Sequence, residues 1–477
     1  MFVLTLTNIL IFMKKNYFIL FLFIVLSAKS LKAANTYVQA DDPAIQYIGR
    51  IDFTNPKAPT FSFPGISIKA MFSGTKISAV IKDFGMGGAT TTNYYNVLID
   101  DVVTGKLMVN FMDTLYLLDS GLTNTSHTVE LVKRTESSVG KSSFCGFVIQ
   151  AASLMTLPAM PTYKIEFIGD SWTCGYGNEV STTSPNTGFH SVNEDNGRSW
   201  GYIVAKKFDA QYHATSISGR GMYRNNTGAT TGVIPDEFDK TFAGQALPLW
   251  NFNSYVPDLL VIHLGTNDFY PQSWATPSML DSASYVDKYI TFINNLRTQY
   301  GSSTKIICSF GNSETDWYPV GLNQLTHWRN FITAIVAHFN GLGDNEVYKF
   351  ELSAQASPYG EDWHPTITTH NQMANQIAPY ITTITGRSAS SYQASINNIV
   401  TLSIIQTAAT NDIIIYPNPT TGEMYFDGIS KNTSWTIMDA SGRIQKSDKG
   451  NKGSIEELQN GIYFLQIGEQ HLRIIKF

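Results

Sequence analysis

A serine is a weak nucleophile until a base takes its proton. The stretch Ile165-Glu166-Phe167-Ile168-Gly169-Asp170-Ser171 places a serine directly after an apolar strand-like run. At the carboxyl edge of a sheet such a serine is exposed where backbone N–H groups can face a reacting oxygen. Alone, Gly-Asp-Ser reads as a turn, because all three residues favour turns. Three later blocks shift that balance. Tyr212–Ile217 leads into Ser218-Gly219-Arg220-Gly221-Met222. Leu259–Leu264 leads into Gly265-Thr266-Asn267-Asp268. Asp362-Trp363-His364-Pro365 comes after Val347–Leu352. Each block follows an apolar run, so a parallel sheet would gather them at one edge. Together they supply what acyl transfer requires. Ser171 attacks and His364 takes its proton. The backbone N–H groups of Ser171 and Gly219 and the Asn267 amide hold the oxyanion, and losing one such donor costs about 100- to 1000-fold in rate. Singly, Gly219 fits a turn, Asn267-Asp268 a helix cap, and His364 a surface histidine before a proline. The order and placement of all four favour the chemistry.

The elements that must position these residues are legible as patterns. Residues 37–157 carry alternating or β-branched runs at Ile66–Phe72, Lys76–Ile81, Tyr94–Ile99, Leu115–Leu118, His127–Lys133 and Phe144–Ile149. Turn residues separate them, among them Asn55-Pro56, Ser73-Gly74, Asp100-Asp101 and Ser120-Gly121. Short strands at this spacing predict a β-sandwich of jelly-roll type. Over residues 160–386, apolar runs at Ile165–Ile168, Tyr212–Ile217, Leu259–Leu264, Lys305–Ser309 and Val347–Leu352 alternate with helical patterns, clearest at Ser282–Tyr300, Leu322–Phe339 and Thr369–Ile384. That alternation predicts a parallel sheet covered by helices on both faces. The Ser-, Ala-, Asn- and Thr-rich segment 387–412 reads as a linker. A last small all-β unit spans 413–477.

Composition narrows the partners. With 33 Lys plus Arg against 38 Asp plus Glu, the 477-residue chain has a net charge of −5. No basic run or basic helix face argues for nucleic acid. Three cysteines, Cys145, Cys174 and Cys308, make neither a disulfide framework nor a cysteine zinc site. Lys14-Lys15, the apolar run Tyr17–Leu26 and the small residues up to Ala34 predict a signal peptide over residues 1–34. Its apolar run is shorter than the roughly 20 residues a membrane span needs, and Met13 stands as the expected start. No later segment is apolar enough to span, so a soluble or surface-held mature protein is expected.

The four blocks resemble those of the SGNH, or GDSL-type, hydrolases: Gly-Asp-Ser, a lone Gly, Gly-x-Asn-Asp and Asp-x-x-His. The resemblance then narrows. Gly169-Asp170-Ser171-Trp172-Thr173-Cys174-Gly175-Tyr176-Gly177-Asn178 is joined upstream by Tyr47-Ile48-Gly49-Arg50, Phe63-Pro64-Gly65, Phe72-Ser73-Gly74-Thr75, His127-Thr128-Val129, Lys133-Arg134-Thr135-Glu136 and Phe144-Cys145-Gly146-Phe147. Together these resemble the second family of carbohydrate esterases over about residues 40–385. The resemblance implies an N-terminal jelly roll fused to an α/β/α SGNH domain, and removal of acetyl groups from plant polysaccharides such as xylan or mannan through a serine acyl-enzyme. It implies no metal or cofactor. The orienting acid of the broad superfamily lies three residues before the histidine, where this chain has Glu361. Asp362, two before, is the candidate third member, and a backbone carbonyl is the alternative in a Ser-His dyad. Trp363 is expected near the sugar, against the imidazole or in the core, with Trp172, Tyr223, Arg224 and Asn225 as candidates for the pocket wall. Cys174 reads as a small packing residue.

The C-terminal unit has its own resemblance. Tyr416-Pro417-Asn418-Pro419, Gly422, Trp435-Thr436-Ile437-Met438-Asp439 and Asn460-Gly461-Ile462-Tyr463 are similar to the C-terminal sorting domain of the type IX secretion system. That implies a Bacteroidetes-type bacterium, export through the periplasm and across the outer membrane, and the secretion machinery as a partner. The competing functions are an SGNH esterase acting on other acyl esters or host glycans, and a carbohydrate-binding protein with a residual esterase fold.

Overall fold

Two antiparallel sheets form the N-terminal part of the protein, seen in a computed structural model that describes residues 35–111, 114–150, 153–271, 278–402, 413–418, 420–439, 443–468 and 470–476. The expected signal peptide lies outside these residues. The strands are β1 (Thr36–Gln39), β2 (Gln46–Ile48), β3 (Thr60–Phe61), β4 (Ser67–Ser73), β5 (Lys76–Asp83), β6 (Tyr94–Ile99), β7 (Val102–Met108), β8 (Leu115–Ser120), β9 (Ser126–Lys133) and β10 (Ser142–Ile149). One sheet runs β1-β10-β5-β8 with β3 against β10, and the other contains β7-β6-β9-β4-β2. Phe61, Phe72, Ile77, Tyr95, Val97, Leu131, Phe144 and Phe147 fill the space between them. The β6–β7 hairpin turns at Asp100 and Asp101, both with positive φ (52° and 62°), the two-residue geometry that matches strand twist. Strand β7 was not predicted, because Val102 and Val103 face solvent and break the alternation. Strand β6 is buried on both faces. Its Leu98 joins Val132 in a core shared with Phe167, Trp200 and Tyr212, so one face of the sandwich is roofed by the next domain.

That domain has a parallel sheet in the order β12-β11-β13-β14-β15, with β11 Lys164–Gly169, β12 Gln211–Ser216, β13 Leu259–His263, β14 Lys305–Gly311 and β15 Val347–Leu352. All five predicted runs are strands. Residues alternate between its two faces. Leu260, Ile262, Ile306 and Cys308 pack under Tyr285, Phe292, Trp328 and Ile332, from helices α5 (Ser282–Tyr300) and α6 (Gln324–Gly341). Leu259, Val261 and Ile307 pack against Trp200, Ile203, Ile377 and Ile381, from α2 (Trp200–Lys207) and α7 (Ile367–Thr385). Helices α1 (Ser171–Cys174), α3 (Ile234–Glu237) and α4 (Thr266–Phe269) are short. Helix α2 escaped prediction because it is buried almost all round, which erases helical periodicity. Gly169 pairs with both Ser216 and His263, so the strands end level and the loops after them share one edge.

Buried ion pairs lock the two domains. Arg134 reaches Asp195 at 2.9 Å and Glu179 at 2.7 Å, and Arg50 reaches Glu166 at 3.1 Å, all with side chains at most 9% exposed. The predicted linker behaves otherwise in its described part, 387–402. It is a strap. Asn371 and Ala394 exchange two hydrogen bonds of 2.9 Å, Arg198 donates to the carbonyls of Ser395 and Asn397, and β16 (Thr401–Leu402) adds in parallel to β7. Its composition is polar because one side faces water, and its order comes from tertiary contacts that composition does not encode. Residues 403–412 lie outside the described set. The C-terminal unit pairs β17 (Ile414–Tyr416), β18 (Glu423–Asp427) and β21 (Lys452–Ser454) in one sheet, and β20 (Ile444–Lys449), β19 (Ser434–Asp439), β22 (Gly461–Ile467) and β23 (Gln470–Lys476) in another. Met424, Phe426, Trp435, Ile437 and Leu465 form its core. No helix of the described residues is long and apolar enough to cross a membrane.

Candidate active site

Ser171 is the first residue of α1 and is almost buried, at 5% exposure. Asp170 caps the helix: its carboxylate accepts the Trp172 N–H at 3.0 Å. At the other end Gly175 takes the left-handed conformation (φ 87°), and a Cβ there would stand 2.7 Å from the Asp195 carbonyl. The Asn196 amide caps the carbonyls of Thr173 and Cys174. A single helical turn is unstable by itself, so these neighbours hold the serine in place.

His364 Nε2 lies 2.7 Å from Ser171 Oγ, and its Nδ1 lies 2.9 Å from the Glu361 carbonyl oxygen. A carbonyl only accepts, so Nδ1 carries the proton and Nε2 presents its lone pair to the serine. Burial pushes the imidazole pKa down to about 4, which keeps the ring neutral near neutrality, with its Nε2 lone pair free to accept a proton. The carbonyl is aimed by a strained turn: Asp362 and Trp363 both have positive φ (47° and 62°), a region non-glycine residues occupy at a cost of about 1–3 kcal/mol each. Glu361 anchors the turn, its buried carboxylate accepting from the His190 backbone N–H, from His190 Nδ1 and from Asn193 Nδ2 at 2.7–2.9 Å.

The Asp362 carboxylate is not on the imidazole, and of the two expected alternatives the geometry is that of the dyad with a backbone carbonyl. It accepts the Tyr176 hydroxyl at 2.7 Å and the Gly188 N–H at 3.0 Å, because the left-handed turn swings its side chain toward residues 176–188. Tyr176 in turn stacks on His364, with ring centroids 4.0 Å apart and planes at 23°. The Asp362 side chain therefore reaches the imidazole by contact through Tyr176, while its charge opposes in part the effect of burial on the His364 pKa. No role was assigned from sequence to Tyr176, although it stands within the Gly-Asp-Ser block.

Asn267 also differs from expectation. Its amide nitrogen donates to Asp170 Oδ2 at 3.1 Å and to the Arg220 carbonyl at 2.9 Å, which uses both amide hydrogens. It ties the serine block to the glycine block, and joins an oxyanion only by sharing or releasing one of these bonds. Gly219 has φ 76°, which suits glycine at that turn. The loop after it is organised by Asp268, whose buried carboxylate accepts the N–H groups of Met222, Tyr223 and Arg224 at 2.7–2.8 Å. Burial raises the Asp268 carboxyl to about 6 and that of Asp170 to about 8. The signal for Asp268 was the single acid that closes Gly-x-Asn-Asp, read from sequence only as part of a cap.

Of the expected wall residues, Trp172 is 3% exposed and packs beneath the site, its ring 6.3 Å from His364 and 6.4 Å from His263. It is core, not wall. Tyr223 is half-buried against the core on the helix α5–α6 side. Trp363 is 52% exposed, and the ring stacked on the imidazole is Tyr176. Cys174 is buried, its thiol 3.2 Å from Ser216 Oγ, and burial raises its pKa well above the usual thiol value, which suits packing rather than attack. Glu136, Cys174 and Glu194 are close enough together to hold a cation. Yet the Lys133 ammonium is buried beside them, hydrogen-bonded to the Thr135 and Glu136 carbonyls, and the protonated thiol is a poor ligand.

Comparison with known proteins places these parts in a family. Residues 47–158 match the model for the carbohydrate esterase 2 N-terminal domain, 167–371 the GDSL-like lipase/acylhydrolase family, and 414–477 the secretion system C-terminal sorting domain. A family two carbohydrate esterase of Clostridium thermocellum, solved in complex with cellohexaose, is 34% identical, with a TM-score of 0.64 over 72% of this chain and 99% of that one. The cellulase/esterase CelE of Acetivibrio thermocellus is 35% identical over 72% of this chain, which spans 39% of the length of CelE. An acetylxylan esterase/glucomannan deacetylase of Cellvibrio japonicus is 26% identical over 74% of this chain and 93% of its own.

Proposed function

The chain belongs to carbohydrate esterase family 2, and on that premise we propose that it removes O-acetyl groups from plant polysaccharides or oligosaccharides of xylan or mannan type. The observation that carries this reading is the 2.7 Å contact between Ser171 Oγ and His364 Nε2, with Nδ1 held by a carbonyl. Ser171 attacks the acetyl carbonyl while His364 takes its proton. The N–H groups of Ser171 and Gly219 receive the negative charge, with Asn267 binding the two blocks that carry them. The imidazolium gives the proton to the departing sugar oxygen as the acyl C–O bond breaks, leaving the acetyl group on Ser171. Water, deprotonated by the same imidazole, then releases acetate and restores the serine. A base held by a carbonyl alone suffices, because the third group only fixes tautomer and orientation. Trp363, half exposed beside His364, offers an apolar face to the sugar.

In this reading residues 37–157 are the β-sandwich domain, 160–386 the catalytic domain and 413–477 the sorting domain. The matched tail implies export, to the medium or the cell surface. We assign that export to the type IX machinery, reached through the periplasm after removal of residues 1–34. The reading is tested by acetate release from acetylated xylan and glucomannan. Wild type is expected to release acetate and Ser171→Ala none; a wild type that spares both polymers while cleaving longer acyl esters overturns the substrate class.

A further inference from the structure

The esterase reading places the whole reaction in the parallel-sheet domain, but one side chain of the sandwich reaches the site. Glu136 follows β9, and its carboxylate crosses the domain boundary to accept the Ser218 N–H at 2.7 Å. Ser218 immediately precedes Gly219. The same carboxylate oxygen lies 3.6 Å from the Cys174 thiol, at the end of the helix that Ser171 begins. One buried acceptor from the sandwich thus touches both segments whose N–H groups face the oxyanion. Glu136 is itself fixed from both sides: its N–H donates to Glu194 Oε2 of the catalytic domain at 2.9 Å, and its carbonyl accepts from Lys133 Nζ of the sandwich at 3.3 Å. Glu136 is 2% exposed and Glu194 fully buried. Burial raises the Glu194 carboxyl well above its usual range, with Glu136 adding to the effect.

We propose that Glu136 is a positioning residue of the oxyanion hole, through which the β-sandwich sets the spacing between the Ser171 and Gly219 donors. The inference rests on the serine-esterase reading. Deleting a donor outright costs about 100- to 1000-fold, and a donor that remains but loses its neighbour's anchor costs less. Glu136→Ala is expected to lower kcat about 10- to 100-fold with KM within about 3-fold. Glu136→Gln keeps an oxygen for the Ser218 N–H and is expected to restore most of the loss. Asn96→Ala removes a bond across the same boundary, to Asp195 at 2.7 Å, without touching Ser218, and is expected to keep wild-type kcat.

Inhibition by methaneboronic acid, whose tetrahedral adduct on the serine carries an oxygen in the oxyanion position, is expected to weaken in Glu136→Ala by the same factor as kcat. A merely structural role would leave that ratio unmoved. Wild-type kcat in folded Glu136→Ala overturns the proposal, as does an equal loss in Glu136→Gln or Asn96→Ala. If Glu136→Ala does not fold, Glu136→Asp, which withdraws the acceptor by one methylene, must show the kcat loss with KM kept. Ser171→Ala run alongside separates the two claims: retained activity and boronate binding there defeat the esterase reading. Loss there with a normal Glu136→Ala defeats only this inference.

Discussion

Asp362→Asn distinguishes the arrangement in this site from the usual triad. In a Ser-His-Asp triad, replacing the acid by its amide costs about 10,000-fold in kcat, because the imidazole is then held in the wrong tautomer. That corresponds to about 5.5 kcal/mol at 1.36 kcal/mol per tenfold. Here Nδ1 donates to the Glu361 carbonyl at 2.9 Å, and the substitution leaves that bond alone. What changes is the acceptor for Tyr176 and Gly188. Asparagine keeps its oxygen for the Gly188 N–H, turns its NH2 to the Tyr176 hydroxyl, which then accepts, and tolerates the left-handed φ of 47°; the charge assistance lost at this half-buried site is about 1 kcal/mol in all. The expected result is a kcat/KM for 4-nitrophenyl acetate within about tenfold of wild type, measured alongside circular dichroism to confirm folding. A loss near 10,000-fold would show that the carboxylate orients the base during turnover, and would refute the dyad.

Three further predictions follow from the same geometry. The acid limb of kcat/KM should fall through about pH 4, where burial places His364: above it the imidazole is neutral and can take the serine proton, below it the charged ring cannot. A limb centred on the ordinary histidine value near 6.5 would contradict this. Arg134→Ala leaves Asp195 and Glu179 buried without one of their cations and should destabilise by about 3–5 kcal/mol in urea unfolding; a change under about 1 kcal/mol would show that the domain boundary does not depend on it. Trp363→Ala should raise KM for acetylated polysaccharide with little change toward 4-nitrophenyl acetate, since its ring is 52% exposed and does not touch the imidazole.

What was legible in the sequence depended on whether one pattern or several determined each feature. The five parallel strands and helices α5 to α7 announced themselves because each has one buried stripe or run. Helix α2 did not, because it is buried almost all round, and strand β7 did not, because Val102 and Val103 face solvent and break its alternation. Ser171 and His364 were legible because spacing from strand ends fixes their edge of the sheet. The partners of His364 were not. The choice between Asp362 and the Glu361 carbonyl is made by two consecutive left-handed residues, and no residue type there demands that conformation. Asn267 was placed at the right edge with its amide misdirected, since a hydrogen-bond direction follows from three loops meeting. Glu136 and Tyr176 stood inside recognisable blocks without visible roles, because each acts by touching something distant in the chain.

Ser171 attacks with His364 as its base. The direct measurement is acid quenching of the protein during turnover of 4-nitrophenyl acetate, followed by mass spectrometry of its peptides. One acetyl group on the peptide containing Ser171 is predicted, absent in Ser171→Ala and strongly diminished in His364→Ala. Acetyl found on another residue in wild type, or turnover persisting in Ser171→Ala, would contradict it.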